Sequence, residues 1–163
     1  MATWILTWDG SDAGYADDQY AADVASTGAG RLAPIRWSTG SRRAGTTKGD
    51  RVFLLRQGVD RGVVASGALV DGVVFSEPHW ENPGKTARYA RVLWDRVVPI
   101  EDRLTTEELL LEISEHHWNS IFASGQELQE PAKPPTCSSS ATPCAPHRSS
   151  RQECRSSPRR HQE

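Results

Sequence analysis

The chain has 163 residues, a formal net charge of −2 and 37 % hydrophobic residues, below the ~45–50 % of an ordinary globular chain. No apolar run reaches the roughly 18 residues of a membrane-spanning helix. Met1–Trp8 lacks a basic start and meets Asp9 too early for a secretory signal, so a cytoplasmic protein is expected. The hydrophobic shortfall lies at one end. All six tryptophans, three tyrosines and three phenylalanines fall within residues 1–128, and Cys137, Cys144 and Cys154 all fall after them. Three cysteines confined to that end make no disulfide framework. Residues 1–131 carry 13 Lys and Arg against 19 Asp and Glu, a formal −6, and residues 132–163 carry +4. The expected organisation is a folded domain over 1–130 and a disordered Pro/Ser/Arg-rich tail over 131–163. An acidic domain argues against loose, charge-driven binding along nucleic acid, while leaving room for a local basic patch.

In chain order, residues 3–8 read as a strand ending at Asp9-Gly10, and Asp12–Thr27 as a helix stopped by Gly28 and Gly30. Ile35–Arg43 reads as a polar loop carrying Trp37, and Val52–Leu55 as a core strand behind it. Arg61–Val70 and Gly72–Phe75 read as a hairpin turning at Asp71-Gly72. Glu77–Thr86 is a polar loop, and Ala87–Ile100 is a long strand of alternating faces ended by Pro99. Thr105–Glu108 starts a second helix with a Thr cap, and Leu109, Leu110, Leu111 and Ile113 are its expected buried stripe. His116–Asn119 begins a short terminal element. The expected class is α+β: a small closed or half-closed barrel of about five or six strands flanked by two helices.

The chemistry concentrates around Trp37. A flat aromatic beside Ser38, Thr39 and several cations, on a loop braced by a core strand, suits a planar anionic ligand such as a nucleotide. Arg36, Arg42, Arg43 and Lys48, with no acid between them, are candidate phosphate contacts. Asp9 offers a carboxylate that can accept from the N4 amine of cytosine, whereas thymine presents an acceptor there. The competing readings are a core indole for Trp37, a turn aspartate for Asp9 and a solvated turn for the cations.

The order of Trp37-Ser38-Thr39, Lys48-Gly49-Asp50-Arg51-Val52-Phe53-Leu54 and Gly62-Val63-Val64-Ala65-Ser66-Gly67 resembles an EVE domain. That family belongs to the PUA-like superfamily and is related to YTH domains, which read methylated adenine in RNA. The resemblance covers roughly residues 1–128 and is closest to actinobacterial EVE domains that read methylated cytosine in DNA. It implies a PUA-like barrel and a base-binding pocket with Trp37, Ser38 and Thr39 on one side. It also implies a second aromatic wall at Trp80 and a pocket floor at Trp8 and Asp9. The Asp9 carboxylate departs from the family, whose pockets more often carry Ser, Thr or Asn there. For Trp80 the competing reading is a ring capping the end of the barrel.

No catalytic signature is present: no G-x-S-x-G, P-loop, H-E-x-x-H or HNH-like core. His116 and His117 are adjacent and lack a third ligand at suitable spacing, and the tail cysteines lack a short C-x₂₋₄-C pair. A monomeric binding module with no cofactor and no metal is expected. Its expected partner is methylated double-stranded DNA, with 5-methylcytosine flipped into an aromatic pocket. The alternatives are a reader of N6-methyladenine or single-stranded RNA, or the recognition half of a modification-dependent nuclease without its catalytic domain.

Overall fold

The computed structural model describes residues 1–79 and 82–129. Trp80, and the tail expected from 131 onward, lie outside them. Among the described residues, eight strands and two α-helices form an α+β fold: β1 Thr3–Trp8, α1 Asp17–Gly28, β2 Ala33–Ser38, β3 Arg51–Arg56, β4 Gly62–Leu69, β5 Phe75–Pro78, β6 Thr86–Val97, β7 Leu104–Thr105, α2 Thr106–Glu112 and β8 Gln126–Leu128. They make one sheet in the order β2-β6-β4-β3-β1-β8, with β5 also paired to β6 and β7 to β4. The β1–β3 pair is parallel and the rest are antiparallel. The sheet is open, with β2 and β8 as the ends of its hydrogen-bonded path, rather than a closed barrel of five or six strands. The additional strands β7 and β8 span two and three residues, too short to show an alternation.

Side-chain alternation builds two cores on opposite faces. Trp4, Leu6 and Trp8 of β1, with Val52 and Leu54 of β3, join Trp37, Val92 and Trp94 under α1. Ile5 and Leu55 face the other way, against Leu109, Trp118 and Ile121. The long strand β6 slips register against β4 between Ser66 and Gly67, which brings Val97 into the same core as Trp94 despite their odd spacing. Asp50, almost fully buried, ties the N-terminus to this sheet. It accepts from Ala2 N at 2.9 Å, the Trp4 indole at 3.0 Å and Thr47 N at 2.8 Å.

Three local expectations are corrected. The first helix begins at Asp17, because Ser11–Gly14 turns back beneath Trp8 and the Asp12 carboxylate accepts from Asp17 N at 2.8 Å. Asp71-Gly72 closes no hairpin. Asp71 pairs with Arg91, the Gly72 carbonyl accepts from Thr46 Oγ1, and β5 pairs with β6 instead of β4. The second helix has the expected Thr105 cap, as a full capping box with Glu108. Its stripe is narrower: Leu109 is buried, while Leu110, Leu111 and Ile113 are exposed, since only one face of a two-turn helix meets the sheet.

Candidate functional site

The two ends of the sheet meet through side chains. β8 pairs with β1 only over Thr3–Ile5, which leaves the outer edge of Leu6–Trp8 without a neighbouring strand. There the Trp37 indole donates to Thr7 O at 3.1 Å. Thr7 N donates to Ser124 Oγ at 3.2 Å, and Ser124 Oγ donates to Ser38 O. The three contacts clasp β1 to β2 and satisfy backbone groups that a missing ladder would leave unpaired. Gly125 makes the clasp possible. Its φ is +79°, and a Cβ there would overlap the carbonyl oxygen of Thr39.

Beside the clasp opens a cleft of about 230 Å³, smaller than the ~300–1,000 Å³ of drug-sized sites and on the scale of one planar ring. Thr7, Trp8 and Asp9 reach it from β1 and its end, and Gly14 from the turn before α1. Trp37 and Ser38 reach it from β2, His79 from the residue after β5, and Ser124 from the segment before β8. Four of the six residues expected to bind a base therefore converge here: Trp8, Asp9, Trp37 and Ser38. Two more apolar hollows, one around Phe53, Val63 and Leu104 and one around Pro34, Val70 and Leu93, contain none of them.

The cleft is walled by ring edges. Trp8 is packed at 5.7 Å from Tyr15 and 5.3 Å from Tyr20, the Arg56 guanidinium lies 5.3 Å from its centroid, and its indole donates to Ser11 O at 2.8 Å. Trp37 is 3 % exposed, held edge-to-face between Tyr15 at 5.3 Å and Trp94 at 6.4 Å. This corrects the loop expectation. Trp37 is a strand residue whose ring is core, and it offers a ligand an edge rather than an open face. Burial and hydrogen bonding stiffen this cluster. Tyr15 donates to the buried Asp23, and burial, first, then that carboxylate push its phenol well above its ordinary value. Tyr20 donates to Val98 O, and burial pushes its phenol up to about 12.

Two polar groups of the cleft, Asp9 and Ser124, are placed as acceptors. Asp9 is exposed at the end of β1, and its Oδ1 accepts from Ser11 Oγ at 2.7 Å and Ser11 N at 2.9 Å. Those two bonds, the hydroxyl first, hold its carboxyl below the usual 3.8, so it is ionised at neutral pH. Its Oδ2 accepts no hydrogen bond among the described residues. Ser124 gives its proton to Ser38 O and one lone pair to Thr7 N, which leaves one further acceptor position.

The remaining expected residues are placed differently. Thr39 is buried, and its hydroxyl donates to Arg42 O at 3.3 Å, away from the cleft lining. Arg42 is a structural strap: its Nε donates to Gly125 O at 2.8 Å and its guanidinium lies 4.1 Å from the Trp4 ring centroid. Arg36 pairs with Glu77 and lies 5.4 Å from the Tyr89 ring. Arg43 and Lys48 are exposed and have no ion-pair partner among the described residues. Two cations not singled out in the sequence have backbones beside the site: Lys85 O accepts from His79 N at 2.8 Å, and Arg88 O from Thr39 N at 2.9 Å. Thr7, Gly14 and Ser124 were likewise missed. Ser124 bonds residues 117 and 86 positions away, a relationship that leaves no local trace. Among the described residues, no group of three or more His, Cys, Asp or Glu could hold a metal ion, and no helix is long and apolar enough to cross a membrane.

No family model, curated protein or solved structure matches this chain.

Proposed function

We propose that this protein is a reader of a modified base, 5-methylcytosine in DNA, taken into the cleft beside the Trp37–Thr7 clasp after extrusion from the duplex. The observation that carries the reading is the Asp9 carboxylate. It is ionised, fixed through Oδ1 by Ser11, and its Oδ2, at the lip of a ring-sized cleft, accepts no hydrogen bond among the described residues. A carboxylate at the mouth of the cleft suits a ring bearing an exocyclic amine, and the match of a carboxylate to cytosine N4 is worth ~1–3 kcal/mol of discrimination. Extrusion costs a few kcal/mol, and burying the methyl returns only ~0.8 kcal/mol. Contacts to the ring and to phosphate must supply the balance. Trp37 has no open face to offer the ring, and the second aromatic wall that the EVE resemblance implies, Trp80, lies outside the described residues. Arg43 and Lys48 contact phosphate. The sheet is taken as a PUA-like barrel whose seam between β1 and β2 is made by side chains, and the module acts by binding, without catalysis.

A gel-shift panel of methylated and plain duplex DNA, N6-methyladenine probes and single-stranded RNA tests this. Preferential retention of 5-methylcytosine duplex supports it. Preference for methylated adenine or RNA moves the assignment to a YTH-like reader, and equal retention of all probes removes base reading altogether.

A further inference from the structure

A second chamber of about 250 Å³ adjoins the first, and Gly14 and Trp37 line both. It is framed by Ala13, Ala16 and Gln19 around the start of α1, by Ile35 of β2, and by Tyr89 of β6. Gly14 keeps the shared boundary low. A Cβ on it would stand 2.9 Å from Trp8 Cδ1, inside the contact distance of real side chains, so any larger residue would displace the Trp8 ring or narrow the passage. The second chamber mixes apolar surface with one amide and one guanidinium. Gln19 donates its Nε2 to the Asp23 carboxylate at 2.8 Å. A carboxylate only accepts, so the amide orientation is fixed and Oε1 remains as an acceptor. Arg36 also lines this chamber, with its side chain 58 % exposed and paired to Glu77.

We infer that the second chamber is a subsite for the nucleotide adjoining the read base, so that the ligand is a two-nucleotide step rather than a single flipped base. The inference rests on the base-reading proposal above. The geometry motivates it: the first cleft holds one ring, and its continuation past Gly14 is of similar size. Arg36 stands there as a cation able to exchange Glu77 for the connecting phosphate. The neighbouring base must then leave the stack as well, which favours unpaired or easily melted neighbours over a fully stacked duplex.

Titration of the full chain with three probes tests the subsite: 5-methyl-dCMP, a dinucleotide of 5-methyl-dC with a natural neighbour, and the same dinucleotide with an abasic neighbour. The dinucleotide should bind roughly ten-fold tighter than the mononucleotide, the scale of one base resting on a protein surface, and the abasic neighbour should lose most of that gain. Ala16→Trp and Ala13→Trp, each filling only the second chamber, should remove the dinucleotide advantage while leaving 5-methyl-dCMP affinity unchanged. Thermal melting confirms that each variant is folded. Equal affinities for mononucleotide and dinucleotide overturn the subsite and leave the base reading standing. So does a dinucleotide advantage that survives in both folded variants. Failure of every probe to bind overturns the base reading and the subsite with it.

Discussion

The Trp37 indole N–H donates to the Thr7 carbonyl at 3.1 Å, joining β2 to β1 where no backbone ladder connects them. The bond explains why a tryptophan flanked by Arg36 and Ser38 is buried: it serves the seam of the sheet, and the candidate cleft opens beside that seam.

Trp37→Ala should therefore destabilise the fold. Loss of a buried aromatic costs about 3–5 kcal/mol, and Thr7 O would lose its donor. Trp37→Phe should cost less, because it keeps most of the packing and loses the hydrogen bond. Denaturant unfolding of the two variants checks the order; an Ala variant as stable as the parent would remove Trp37 from the core.

Ser124→Ala deletes one hydroxyl that serves two backbone groups, Thr7 N and Ser38 O. A cost of about 1–3 kcal/mol is expected from leaving such groups unpaired. Amide exchange at Thr7 should accelerate more than at Ile5, which lies inside the β1–β8 ladder. Uniform acceleration along β1 would mean that Ser124 acts on the whole strand and not on the seam.

The two adjacent arginines should separate. Arg42→Ala loses its bond to Gly125 O and its packing over Trp4, so it should lower the thermal midpoint and weaken binding together. Arg43→Ala should leave the midpoint unchanged and reduce the salt dependence of DNA binding by about one unit of slope. Fluorescence titrations at two salt concentrations, with melting curves, read both effects. An Arg42 variant of unchanged stability would restore it as a phosphate contact.

Acid should unfold the domain through its bonded carboxylates. Burial raises the Asp50 pKa, and the bonds from Trp4, Ala2 and Thr47 more than reverse this, so it stands below 3.8 in the fold. For Asp95 burial is again outweighed, by Arg51 and Ser66. A folded pKa below the unfolded one contributes stability that is complete above the unfolded value and is lost as pH falls through the folded one. Thermal midpoints should hold from neutral pH to about the ordinary carboxylate pKa and drop below it. Asp50→Asn should lower the plateau and shallow that drop; an unchanged acid limb would show that Asp50 does not carry it.

Much of the framework was legible in the sequence because its signals are local. Thr3–Trp8 and Val52–Leu55 read as strands from short apolar runs, and Thr105 with Glu108 reads as a helix start. The polar neighbours of Trp37 misled for a physical reason. In a strand, Arg36 and Ser38 point away from the face that Trp37 occupies, so polar flanks are what a core strand position shows. The pairing of β5 with β6 was hidden because Asp71-Gly72 resembles a tight turn, while the contacts that override it come from Thr46 and Arg91. In the cleft, Trp8, Asp9, Trp37 and Ser38 were legible as types suited to a base. Ser124 and Gly14 were not, since their roles arise from tertiary closeness alone.

The most direct test of the central claim is a backbone amide shift map of the protein titrated with 5-methyl-dCMP. If the cleft takes the base, the amides of Thr7, Asp9, Gly14, Ser38, His79 and Ser124 should shift in a saturable, common transition, and Asp9→Ala should weaken it. Shifts confined to the hollow around Phe53 and Leu104, or to the exposed cations with the cleft residues silent, would contradict the account.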